Sequence, residues 1–505
     1  MNKFKHDIKY GFFALFAIVI TFSGCSSESD RVYFDQPEDF PITILEPVDR
    51  DFAEIKNSGV LKVLTYYSSN TYFLHQGIDM GFEYELVREF AKENDLAIEV
   101  IILGPEQSPY DLLNSGVGDV IAANYTITPN RKKYVSFTRP YNLVDQVLVF
   151  SQELNQIPQT VEELSEMQIP IAIQRNSSYY ERLMDLVAGG LNLNIELVSD
   201  EMDTESILYQ VANGVYEATI SDDNMFKAAN RYMLGLQEGP VIAEKDTIAW
   251  AIRSNSPDLE ARMNQFLYQH FRFTANPDRH NRSEFLNVLR QRYFDEGPQL
   301  SEFFNPDWHY QNIGIISQYD ELVRQVADSL ELDWLMLTAM IAQESSFNPT
   351  AKSWAGAVGL MQVLPRFSQI EYNDLYDPEI NVREGARIIA EHLKHYSYMD
   401  KENQWAFSLA TYNAGMGHIA DARRLAIDQN KNPNEWEPVA DALLKLMQRR
   451  YYQNARHGFT RGIEPVRYVS EIMNRYRTYE AILTLADNQE QRMPGILGIR
   501  TLNVP

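Results

Sequence analysis

The chain has 505 residues, more than one ordinary core accommodates, so two domains joined by linkers are expected. With 45% hydrophobic and 23% charged residues, its composition is that of a globular protein and excludes collagen-like or extended disordered chains. The 70 acidic against 45 basic residues give a net charge of −25, which argues against nucleic acid as a partner but leaves open a glycan, read by hydrogen bonds and stacking.

In chain order, Lys3, Lys5 and Lys9 form a basic start, partly offset by Asp7, ahead of an apolar stretch from Gly11 to Phe22. That is the order of an export signal, and the stretch is short for a membrane-spanning helix. It ends in Phe22-Ser23-Gly24-Cys25, and Cys25, the only cysteine, has no internal disulfide partner. The arrangement resembles a bacterial lipoprotein signal, with Phe22 where Leu is usual. The resemblance implies removal of residues 1–24 and lipidation of Cys25. Ser26, in place of Asp, implies peripheral attachment to the outer membrane, facing the periplasm. An uncleaved N-terminal anchor is the alternative. Residues 25–50, acidic and proline-containing, read as a tether.

From Asp51 the pattern becomes α/β. Val60–Thr65 is a predicted strand, and Phe82, Leu86 and Phe90 mark one face of a helix over 82–94. Ile98–Ile102 and Val120–Ala123 are further strands; the pattern pauses near 139–146 and resumes with Ile169–Ile173 and a second βα region to about Phe273. Two halves of this kind predict two lobes with a ligand cleft between them.

Three segments carry a resemblance: Gly81-Phe82-Glu83-Tyr84-Glu85-Leu86, Gly118-Asp119-Val120-Ile121 leading to Thr126-Ile127-Thr128-Pro129-Asn130-Arg131, and Phe137-Thr138-Arg139-Pro140-Tyr141. Together they resemble the periplasmic solute-binding proteins for amino acids, over residues 51–273. The resemblance implies that Arg131 grips a ligand α-carboxylate, with the bidentate fork that lysine lacks. Asn124 and Thr126 would bond the ligand from the same lobe, Ser177 and Ser178 from the other, and Asp222 would pair with its α-amine. Amino acids or muropeptide fragments are the candidate ligands; a vestigial cleft is the alternative.

Residues 274–312 are taken as a connector, although Phe285–Tyr293 has helical spacing. Beyond Ile313 helical periods dominate, so an all-α domain is expected over 313–490, with a tail at 491–505. Asp333–Glu344 reads as a helix with Asp333 as N-cap. Leu337, Met340, Ile341 and Glu344 fall at i, i+3, i+4 and i+7, which puts a carboxyl on the apolar face. Burial there raises its pKa, as a general acid near neutral pH requires.

Four blocks follow in order: Glu344-Ser345-Ser346-Phe347, Ser353 with Gly356-Ala357-Val358-Gly359-Leu360-Met361-Gln362, Ala410-Thr411-Tyr412-Asn413-Ala414-Gly415, and Gly462-Ile463-Glu464-Pro465-Val466-Arg467-Tyr468-Val469. They resemble the lysozyme-like lytic transglycosylases, over roughly residues 313–480. The whole is therefore read as a multidomain α/β plus all-α chain: a two-lobed binding-protein-like domain followed by a lysozyme-like, mostly helical one. The resemblance implies that Glu344 first protonates the glycosidic oxygen between N-acetylmuramic acid and N-acetylglucosamine in peptidoglycan. It then serves as base while the muramic acid C6 hydroxyl closes a 1,6-anhydro ring. Ser353, Gln362 and Tyr412 would bond the sugar or orient its N-acetyl group, with Asn413 in the same wall. Met361 would offer an apolar sugar-contacting surface, and Tyr468 would hold the Glu344 carboxyl. Pro465 stands where relatives carry Thr, which weakens any role for Glu464. No metal or other cofactor is expected. A receptor whose lysozyme-like domain binds glycan without cleaving it, and a true hydrolase, are the competing readings.

Overall fold

The structure is a computed structural model, and it describes residues 45–104, 107–199, 202–230, 233–274, 281–294 and 314–492, with side chains to 487. The expected signal, Cys25, most of the tether, much of the connector and nearly all of the tail lie outside the described residues.

The first module has two sheets. In one lobe the strand order is Ala97–Ile102, Val60–Thr65, Val120–Ile121, Ala251–Ile252, Ser136–Phe137. The first three are parallel, as crossover helices require, and Ala251–Ile252 runs antiparallel between its neighbours. The other lobe orders Leu236–Ile248, Asn142–Ser151, Ala218–Asp222, Ile171–Ile173, Ile195–Leu197. The chain leaves the first lobe along Asn142–Ser151 and returns along Leu236–Ile248, which pairs with it antiparallel. The lobes are thus not two consecutive halves. Residues from 251 onward complete the first lobe, contrary to the expected second βα region running to Phe273. The expected pause at 139–146 contains the start of a ten-residue strand.

The helix Phe82–Glu93 buries Phe82, Leu86 and Phe90 in the first lobe. Glu284–Tyr293, inside the expected connector, packs Leu286, Leu289 and Tyr293 into that same core, so this stretch belongs structurally to the first module.

From residue 320 the described chain is helical apart from loops and short bridges. Asp333 caps Trp334–Ser345 by accepting from the amides of Leu335 and Met336 at 2.9 and 3.3 Å. Asp377 and Asp400 do the same for Pro378–His395 and Lys401–Ala414. The long helix Ile463–Arg492 closes the domain. Its core includes Ile472, Tyr479 and Ile482, and extends to Tyr72, Leu74 and Ile102 of the first module.

The modules meet through specific contacts. Arg475 pairs with Asp79 at 2.7 Å, Tyr72 donates to Asp79 at 2.6 Å, and the Thr478 hydroxyl donates to the Val100 carbonyl at 2.8 Å. The turn between strands Phe73–His75 and Ile78–Met80 holds Gly77, at φ +83°, where a Cβ would collide with the Phe347 ring.

Candidate functional site

Glu344 is the penultimate residue of Trp334–Ser345. Two consecutive left-handed residues, Ser346 at φ 49° and Phe347 at φ 60°, then turn the chain sharply. The carboxyl is partly buried, and Tyr468 Oη donates to its Oε1 at 2.5 Å. Burial pushes its pKa from 4.5 up to about 7, against the opposing Tyr468 bond. Among the described residues no charged neighbour contributes to the shift. The negative end of the helix dipole disfavours the carboxylate in the same sense.

Tyr412 approaches from Lys401–Ala414; its hydroxyl donates to the Met361 carbonyl at 2.8 Å, and burial, aided by the nearby Glu344 and Glu384, holds its phenol protonated. Asn413 is exposed and shares a recess with Tyr468 and Gln343. Ser353 Oγ accepts from the Ala357 amide at 3.0 Å. Gln362, at φ 48°, donates its amide to the carbonyls of Ala351 and Gly359 at 3.1 and 2.9 Å. These two side chains therefore shape the loop that carries them. Glu464 is exposed and pairs with Arg461 at 3.1 Å.

Met361 is a correction. Its side chain is fully buried and packs against Gly385, so the apolar sugar-contacting surface expected of it does not exist. What it offers the site is its carbonyl, to Tyr412. The residue that fixes this loop went unnoticed in the sequence. Asn381, fully buried, donates to the carbonyls of Val358 and Leu375 at 2.9 and 2.7 Å and accepts from the Met361 amide at 2.8 Å. Gly359 is needed beside it, at φ +79°, because a Cβ would strike the Asn381 carboxamide. A lone Asn in a helical period carries no sequence signal for such a role.

The six residues singled out in the first module all line one cavity of ≈ 250 Å³ between the lobes. Arg131 stacks 4.0 Å from the Tyr125 ring centroid and donates to the Thr126 carbonyl at 2.9 Å. Across the cleft Asn124 donates to Asp222 Oδ2 at 2.8 Å, and Ser178 meets Thr126 at 3.4 Å. Asp222 Oδ1 is buried without a hydrogen-bond partner, and burial pushes the carboxyl up to about 7 despite its bonds to Asn124 and Tyr179. Leu485, from the long C-terminal helix, also lines this cavity.

A closed two-lobed cleft with an arginine and an opposing buried aspartate, joined to a helical domain with one acid held by a tyrosine, defines a solute-binding module fused to a glycan-cleaving domain. Residues 45–272 match the family of bacterial extracellular solute-binding proteins, family 3, and residues 321–435 match the transglycosylase SLT domain. A membrane-bound lytic murein transglycosylase F of Shewanella halifaxensis is 31% identical over 91% of this chain and 90% of its own length. That of Shewanella loihica is 33% identical over 86% of this chain and 87% of its own. An ancestral arginine-binding protein bound to arginine is 21% identical, with a TM-score of 0.38 over 47% of this chain and 98% of that one. The chain belongs to the membrane-bound lytic murein transglycosylase F family.

Proposed function

We propose that Glu344 is the acid and base of a peptidoglycan lytic transglycosylase, acting on the bond between N-acetylmuramic acid and N-acetylglucosamine. The carboxylic acid gives its proton to the glycosidic oxygen as the bond to muramic C1 breaks. The C6 hydroxyl of the same sugar then bonds to C1 and returns its proton to the carboxylate. Atoms balance without water, and the product ends in a 1,6-anhydro ring. Inverting and retaining glycosidases need a second carboxylate for the water or the covalent bond; here the substrate's own hydroxyl takes that part.

The observation that carries this reading is a carboxyl raised to about 7 by burial and held by a neutral phenol rather than by a cation. Such a group is an acid and a base at the same pH. Tyr412 and Asn413 would face the sugar, with Ser353 and Gln362 holding the wall behind it. Mass spectrometry of peptidoglycan digested by the wild type and by Glu344→Gln tests this. Anhydro ends from the wild type alone are expected, and products carrying added water would overturn the lyase step.

The first module would bind a zwitterion, an amino acid or muropeptide fragment, with its carboxylate on Arg131 and its ammonium on the unpartnered oxygen of Asp222. The membrane association named for the relatives would come from lipidation of Cys25, with attachment at the outer membrane. The expected domains, 51–273 and 313–490, would be these binding and cleaving parts.

A further inference from the structure

The two lobes of the first module are joined by a pair of antiparallel strands and also touch each other directly across the cleft. Asn124 of the first lobe donates to Asp222 of the second at 2.8 Å, and Ser178 meets Thr126 at 3.4 Å. The Thr128 hydroxyl donates to Glu181 at 3.4 Å, and the Ser69 amide donates to Glu205 at 3.0 Å. In each contact one partner lies between Asn142 and Ile248, and the other lies in the rest of the module. The lobes can part only by exchanging these bonds for water. Parting would also wet Asp222, which is 1% exposed while they touch.

Asp222 differs from the other two carboxyls in these contacts. Glu181 is half-buried, and Glu205 takes a backbone amide. Asp222 meets only a neutral carboxamide across the cleft, and its Oδ1 has no hydrogen-bond partner among the described residues. The charges around it bring no relief. Asp223, on the helix that follows, and Asp246, on the returning strand, both disfavour its ionisation, and each has its own cation, Lys227 at 2.6 Å and Arg182 at 3.8 Å. Asp145 on the outgoing strand, and Asp203 and Glu205 at the start of the Thr204–Ala212 helix, are acidic as well. Tyr179 contributes a neutral hydroxyl. Arg131, the one cation among the described residues lining the cavity, is turned to the Tyr125 ring and the Thr126 carbonyl. A carboxylate so placed is costly to bury, and the neutral acid far less so. Burial accordingly carries its pKa from 3.8 to about 7, whereas water in the opened cleft would return it to the ordinary range.

We propose that Asp222 is a proton-operated latch: in the ligand-free protein its carboxylate takes a proton from solvent as the lobes close, and the ammonium group of a ligand displaces that proton from the same carboxyl. One proton is taken up on closing and one is returned to solvent when the cation arrives, so the closed cleft never holds an uncompensated charge. The sign follows from the raised value. Protonation favours closure fully below about 3.8, and the effect is lost as pH rises through 7. Between those limits the ratio of closed to open protein should rise about tenfold for each unit of acidification. The part given to the ammonium rests on the proposed binding of a zwitterion; closure by protons does not.

The test measures the distance between spin labels on Lys133→Cys and Asp185→Cys, two exposed positions on opposite sides of the cleft, in the full chain in mild detergent. Cys25→Ser, which removes the only native cysteine, prevents a third label. Without ligand, the closed fraction is expected to rise as the pH is lowered from 8.5 to 4.5. Asp222→Asn, neutral at every pH, is expected to be as closed at pH 8.5 as its parent is at pH 4.5, and to respond to pH no further. Glu83→Gln removes the other buried carboxyl of this module raised to about 7, which bonds Tyr141 at 2.5 Å and Trp250 at 3.0 Å; the pH response is expected to persist in it. This variant decides the matter even if Asp222→Asn fails to fold. A distance that ignores pH in the parent, a response retained in Asp222→Asn, or one lost in Glu83→Gln would overturn the latch. A mixture of the protein amino acids, added at pH 8.5, tests the ammonium separately and is expected to close the cleft. No closure by the mixture, beside closure by acid, would overturn the zwitterion reading and leave the proton latch standing.

Discussion

Replacing Tyr468 by Phe removes one hydroxyl and leaves the ring that fills the space above Glu344. That hydroxyl donates at 2.5 Å to a carboxyl whose pKa burial has raised to about 7. A donor bonded to a charged acceptor stabilises the ion more than the neutral acid, so the bond holds the pKa below where burial alone would set it. Hydrogen bonds to charged groups are worth about 1.5–3 kcal/mol, and part of that remains when the acid is protonated. A difference of about 1.4 kcal/mol corresponds to about one pKa unit. The cleaving form is the protonated acid, so the alkaline limb of kcat/KM should move upward, from near 7 to near 8. At acidic pH the rate should fall only by the loss of orientation, about 10-fold or less. The assay is a pH series of anhydromuramic end formation between pH 5 and 9. A limb that stays in place or moves down would refute the claim that Tyr468 favours the ionised carboxyl.

Other consequences follow from the same geometry. Glu344→Gln should lower cleavage about 10²–10⁴-fold. Its effect on stability has a definite sign: with a folded pKa raised from 4.5 to about 7, Glu344 contributes stability that is full below about 4.5 and lost as pH rises through 7. The Gln variant should therefore gain on the wild type by about 1–2 kcal/mol between pH 5 and 8 in urea melts, the partial exposure of the group keeping the figure low. A constant difference across that range would contradict the assignment. Arg131→Ala should weaken binding of a zwitterionic ligand by about 2–5 kcal/mol in calorimetry, while unchanged affinity would show that the cleft recognises something else. Gly77→Ala should cost about 1–3 kcal/mol, since the Cβ meets the Phe347 ring and the residue sits at φ +83°. An unaltered melting midpoint would mean that the turn and Phe347 yield without cost.

Legibility followed the range of the interactions involved. The strand Val60–Thr65 and the helix over 82–93 were readable because each is specified by its own apolar period. The Asp333 cap and the apolar face leading to Glu344 were equally local. The return of Ala251–Ile252 into the first sheet was not, since a two-residue strand has no period and is defined only by its neighbours. Met361 shows another limit: in a loop, an apolar residue reads the same whether it faces a sugar or the core. Asn381, and the polar contacts of Arg475 and Thr478, were hidden because polar residues at helical spacing ordinarily mean a solvated surface. Here that surface faces another module.

The Arg475–Asp79 pair joins residues 396 positions apart, and the Thr478 bond to Val100 spans 378. Contacts so distant form late, after the loops between them have closed. Domains generally fold in the order in which the chain is made or delivered, and the Ile463–Arg492 helix arrives after the elements it packs against. It brings with it Tyr468, Leu485 of the ligand cavity and one side of the junction. A chain halted before Arg461 would carry Glu344 without its phenol and a cleft without Leu485. The Glu344 site is therefore completed only once that helix has been delivered, so that copies halted ahead of it carry an incomplete one.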